Sequence, residues 1–221
     1  MDGITGQLTM TIAAFVLSSS TGLRAYLPIF ALGLAAAVGI IPHPQTALGD
    51  TYGALTNPIV LTGLGVLSVL ELVADKVPGV DHVSDVIHTA IRPVMGAIIF
   101  AGTNNVVSHA NPVLAGALGL ALAGGVHATK ALVVRPTSTV TTAGIGNPVI
   151  SIIEDVVSVV MSGLAVFAPI IALILFLIFA VLVFFMVRWG IRRVRQRRQR
   201  KRAGKMAQTV AQGKTSGTGR G

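Results

Sequence analysis

An all-α, polytopic membrane protein with about six transmembrane spans is the fold class this sequence predicts, and three observations predict it. Of 221 residues, 52% are hydrophobic and 11% charged, with a mean hydropathy of +0.78, whereas soluble domains are about 25% charged. The apolar residues fall in runs long enough to cross a hydrocarbon core of about 30 Å, divided by short polar or Pro/Gly-rich connections. Twelve of the seventeen basic residues lie at or after Arg188, so residues 1–187 hold five basic groups against eight acids.

That distribution divides the chain into a transmembrane domain, 1–187, and a basic tail, 188–221, whose Gly/Ser/Thr-rich end is expected to be disordered. The formal charge of +9 belongs to the tail, where it suits anionic lipids. No nucleic-acid partner is expected for the main body, because such a surface needs clustered Lys and Arg. The absence of cysteine excludes disulfides and thiolate chemistry. Asp2, and the lack of Lys or Arg before Arg24, argue for a retained N-terminus.

Residues 10–41 are apolar apart from Ser18–Gly22 and Arg24. As one helix they would extend about 48 Å, too far for a single straight span. A break at Ser18–Gly22 is expected, followed by a second piece over 25–41, which makes Arg24 a candidate for the interior. Residues 42–57 read as a loop without Lys or Arg. Span two covers Pro58 to Asp75, a Pro78-Gly79 turn follows, and span three runs from Ile87 to Val107. Span four, 112–134, carries Ala115, Gly119, Ala123 and His127 at i+4 spacing, a stripe that lets helices approach closely. Residues 149–187, 39 in all, are two spans divided at Pro169.

Lys and Arg placement puts the tail in the cytoplasm of a bacterial inner membrane. Counting back through six spans predicts both termini cytoplasmic. Two motif pairs suggest inverted three-span halves with a broken first helix: Asn57-Pro58 with Asn147-Pro148, and Gly22-Leu23-Arg24-Ala25 with Gly125-Val126-His127-Ala128.

The chemistry concentrates in residues 71–93, ELVADKVPGVDHVSDVIHTAIRP. Glu71 and Asp75 share one helix face; Asp85, His88 and Arg92 share another across the turn. With Arg24, His127, Lys130, Glu154 and Asp155 they fall toward one membrane side, and charges stranded in a low dielectric are expected to pair. His88 is placed between a carboxylate and Arg92, suited to a proton-coupled step. The plain alternative is interfacial charge that only ends the spans.

Gly22–Ala25 with Pro28, residues 70–81 (LELVADKVPGVD) and residues 87–93 (IHTAIRP), with His127–Ala131, Arg135–Thr139 and Gly146–Asp155, resemble the domain-of-unknown-function 4126 family of bacterial membrane proteins. The resemblance covers about residues 10–180 and implies a multi-pass protein without an assigned activity. From the residues themselves, a small transporter or permease is the preferred expectation, with the ten ionisable residues just named as substrate or ion pathway. A membrane-embedded enzyme on a lipid or polyprenyl substrate is the alternative, with Mg²⁺ at Glu71, Asp75, Asp81 and Asp85. A structural or assembly role is the third.

Overall fold

The computed structural model describes residues 3–40, 51–76, 80–103, 111–134 and 146–186, with scattered positions as far as 196. Residues 41–50, 77–79, 104–110 and 135–145, and most of the basic tail, lie outside the described residues. The elements are α1 Gly3–Thr21, α2 Leu27–Ala37, α3 Thr51–Thr56, α4 Pro58–Ala74 and α5 Val80–Thr103. Then come α6 Pro112–Thr129, extended by a π-helical turn Lys130–Val134, α7 Gly146–Phe167 and α8 Pro169–Met186. Among the described residues, four stretches are long and apolar enough to span a membrane, Val86–Thr103, Pro112–Leu132, Val149–Phe167 and Pro169–Met186, while Leu27–Ala37 and Pro58–Ala74 are shorter apolar helices. The chain is a polytopic helical membrane protein.

Its helices are amphipathic in the inverted sense. α4 buries only Leu64, Ser68 and Glu71, and turns Ile59, Val66, Val69 and Val73 outward. α7 buries Ser151, Glu154, Ser158 and Ser162, with Val149, Ile152, Val156 and Val159 exposed. Such surfaces are stable where the solvent is hydrocarbon: apolar side chains face lipid, and polar groups must find partners inside.

α1 is the central strut. Ala13, Ala14, Val16, Leu17 and all four residues Ser18–Thr21 are buried. Ser18 Oγ donates to Gly96 O of α5 at 3.0 Å and Thr21 Oγ1 to Ser18 O within α1 at 2.6 Å, so these two hydroxyls are satisfied while the backbone stays helical. The break therefore falls later than the expected Ser18–Gly22, at residues 22–26. Gly22 is required there, since a Cβ would stand 2.5 Å from Ala123 O and 2.6 Å from Val126 Cβ.

These contacts set the directions. α1 runs parallel to α6 and antiparallel to α5, with Ala14 clustered against Phe100, Ala101 and Ala115 at the other end. α2 turns back antiparallel to α4, Phe30 lying against Gly65 and Gly33 against Leu61 and Leu55. Residues expected as a loop thus include the short helix α3, held by Leu55, which is buried. α7 leaves the charged end, and α8 folds back where Phe176 meets Phe15 edge to face, centroids 5.7 Å apart. Residues 10–41, expected as one broken span, form a hairpin of α1 and α2, and Gly3 lies at the end opposite the charges. α1 and α6 are parallel whereas α4 and α7 are antiparallel, so the two motif pairs are not related by one operation.

Candidate functional site

The helix break exposes five backbone N–H groups, and their partners define the site. Gly22 N donates to Ser19 O, and Leu23 N and Arg24 N both donate to Ser20 O. Ala25 N and Tyr26 N have no local acceptor and donate instead to the Glu71 carboxylate, Ala25 N at 3.0 and 2.9 Å to its two oxygens and Tyr26 N at 3.3 Å. Tyr26 is the N-cap of α2 and makes no side-chain cap. Glu71 supplies that cap from α4, where a carboxylate is also favoured by the helix dipole. Arg92 Nη2 donates to Glu71 Oε1 at 3.1 Å, so one buried carboxylate joins the break, α4 and α5.

Arg24, fully buried, is held just beyond the break. Its guanidinium pairs with Asp75 and with Asp155, and its Nη2 donates to Ser151 Oγ at 2.9 Å. Asp155 also accepts from Lys76 Nζ at 2.7 Å. Lys130 Nζ, on the π-helical turn after α6, pairs with Glu154 at 2.7 Å and stands 3.9 Å from Asp75. The described ion pairs thus set Arg24, Lys76, Arg92 and Lys130 against Glu71, Asp75, Glu154 and Asp155, four cations to four anions. A balanced network of this kind avoids the several kcal/mol that a lone buried ion costs, but hydrophobic residues of equal volume would serve stability as well or better.

The two histidines are distinguished by their partners. His127 Nδ1 lies 2.8 Å from Arg92 Nη1 and its Nε2 3.1 Å from Thr89 Oγ1. Arginine only donates, so His127 Nδ1 accepts and its Nε2 carries the hydrogen. His88 Nδ1 lies 2.7 Å from Ser84 O, which only accepts, so here Nδ1 carries a hydrogen. Ser84 Oγ, 3.0 Å from His88 Nδ1, passes its own hydrogen to Asp75 Oδ1 at 3.3 Å. His88 Nε2 is buried without a hydrogen-bond partner among the described residues and faces Glu71 Oε1 at 3.7 Å.

The structure brings together Arg24, Glu71, Asp75, His88, Arg92, His127, Lys130, Glu154 and Asp155. Glu71, Asp75 and Arg92 point inward and touch one another's partners. The side chains of Asp81 and Asp85 lie outside the described residues. At the Mg²⁺ positions that are described, Glu71 is engaged by Arg92 and the break, and Asp75 by Arg24 and Ser84. Sequence reasoning missed Ser84, Thr89, Ser151, Tyr26 and Lys76 as members. Ser151 was legible, because Ser151, Glu154 or Asp155, Ser158 and Ser162 repeat on one face of α7.

Ser158 and Ser162 continue that face as buried hydroxyls without a partner among the described residues. If they pack dry, Ser162→Ala is expected to be neutral or to stabilise by up to about 1 kcal/mol, because an unsatisfied hydroxyl is removed. Thermal melting of the purified protein reads the sign, and a clear fall would mean that the hydroxyl has a partner such as water. A separate 510 Å³ groove between α2 and α4, lined by Phe30, Leu61, Thr62, Gly65, Val66, Val69 and Leu70, faces the lipid and shares no lining residue with the charged cluster.

A family model described as a domain of unknown function (DUF4126) matches residues 11–189. No curated protein and no solved structure matches the chain.

Proposed function

We propose, for a chain that belongs to the DUF4126 family, that it is a small permease of the bacterial inner membrane whose working part is the buried charge network. The observation that carries this reading is the broken α1–α2 connection: its free N–H groups, Arg24 and the carboxylate of Glu71 meet inside the bundle rather than at its surface. Discontinuous helices whose half-helix ends point at charged groups are a recurrent device of transporters, because they place binding groups at a point two sets of helices can approach alternately. The reading is tested in vesicles with an imposed pH gradient and an internal pH dye. Glu71→Gln is expected to remove solute-dependent proton movement while the variant still inserts. Equal movement by the variant would sink it.

The charge balance also favours a second reading, in which the network only assembles the helices. Removing both members of a pair discriminates. A structural pair replaced as Lys130→Met with Glu154→Met is expected to leave the folded protein and its function near normal, whereas a permease that works through the network loses transport.

Orientation belongs to the same proposal. The basic tail after α8 supports a cytoplasmic charged end, and Gly3, at the opposite end of α1, is then external. A reporter active only in the cytoplasm is expected to work when fused after Gly221 and to be silent when fused ahead of α1. Activity at both positions would restore the arrangement with both ends inside.

A further inference from the structure

The surroundings of Glu71 are those of an anion-binding site, and its carboxylate occupies that site as a tethered ligand. Two successive backbone N–H groups at the start of α2, Ala25 and Tyr26, converge on it at 2.9 to 3.3 Å. Arg92 adds a charged donor at 3.1 Å. A helix N-terminus offers such donors to any anion, but here a second observation points to a ligand. His88, 7% exposed, aims an Nε2 without a hydrogen-bond partner among the described residues at the same carboxylate oxygen.

The geometry points to a binding site for a small monocarboxylate, formed by Ala25 N, Tyr26 N, Arg92 and His88, closed by the Glu71 carboxylate in this state and opened when Glu71 takes a proton. This deepens the permease reading by naming the solute class, and rests on that reading only for the statement that the bound carboxylate is carried. Protonated, Glu71 is a poor acceptor for three N–H bonds, and the network, balanced beforehand, gains one positive charge. A carboxylate from outside restores both the hydrogen bonds and the neutrality, so one anion accompanies one proton. The charged and titratable groups around Glu71 are Arg24 and Tyr26 from the break, Asp75 and Lys76 from its own helix, and His88 and Arg92 from α5. His127 and Lys130 come from α6 and its extension, and Glu154 and Asp155 from α7.

The test uses the purified full chain in detergent and its melting temperature with sodium acetate against sodium chloride at equal ionic strength. At pH about 8, above the histidine range, wild type is expected to show no acetate-specific shift; at pH about 5 a saturable rise of several degrees is expected. Glu71→Ala is expected to show that rise near neutral pH, because acetate fills the vacated cradle, and Glu71→Ala with Arg92→Ala is expected to lose it. Should Glu71→Ala not fold, Glu71→Gln and the pH series on wild type carry the same comparison. The site is overturned if acetate behaves as chloride both in wild type at low pH and in the Glu71 variant. A shift with phosphate but not acetate overturns the carboxylate assignment. Acetate binding without acetate flux in vesicles leaves the site and removes the permease; solute flux in a variant that no longer binds acetate does the reverse.

Discussion

Arg92→Ala is expected to destabilise the protein by about 3–5 kcal/mol, the loss found when one partner of a buried ion pair is removed and the other is left uncompensated. Arg92 is fully buried and serves two partners. Without it, Glu71 keeps only the two N–H groups of the break, and His127 Nδ1 loses its donor. The four-to-four balance becomes three cations to four anions, and the surplus negative charge sits where water cannot relieve it. Arg92→Lys keeps the charge but not the planar fork that reaches Glu71 and His127 together, so its stability should fall between wild type and alanine. Thermal or denaturant melting in detergent measures both. An Arg92→Ala protein as stable as wild type would show that the pairing is not formed in the membrane.

Gly119→Leu is expected to have the next largest effect, forcing α5 and α6 apart. Those two helices make the most extensive packing in the molecule, and it depends on missing side chains. A Cβ on Gly119 would stand 2.2 Å from Gly96 O and 2.6 Å from Phe100 Cβ, while one on Gly96 would stand 2.4 Å from Ala123 Cβ. The neighbours are largely backbone and cannot rotate away, so a cost at or above the usual 1–3 kcal/mol of overpacking is expected. Because Ser18 Oγ bonds Gly96 O, α1 should shift as well, and with it the break and Arg24. Gly116→Ala is the control: nothing lies within 4 Å of a Cβ there, and melting should be unchanged. Equal losses at positions 116 and 119 would contradict the packing.

Much of this arrangement was legible before any coordinates. The stripe Ala115, Gly119, Ala123 and His127 is the buried face of α6, because a 3.6-residue period and side-chain size suffice to mark a close helix contact. The pairing of Arg24 and Arg92 with carboxylates of α4 and α7 followed from the cost of a lone charge in a low dielectric, without knowing which partner each would take. The position of the break did not follow. Four consecutive hydroxyl residues read as a weak point, yet two of them satisfy themselves within the buried helix bundle, and the chain turns where Gly22 meets α6.

Composition, the lengths of the apolar runs and the segregation of Lys and Arg were enough to determine that this chain is a helical membrane protein with its ionisable residues gathered toward one end. Those are properties of local sequence measured against a fixed hydrocarbon thickness. Which carboxylate caps the break, which histidine nitrogen is buried without a hydrogen-bond partner among the described residues, and that α1 and α2 form a hairpin, were decided only by the tertiary structure. Each depends on contacts between residues tens of positions apart, such as Ala25 with Glu71 or Arg92 with His127, and helical periodicity carries no information about which stripe of one helix meets which stripe of another.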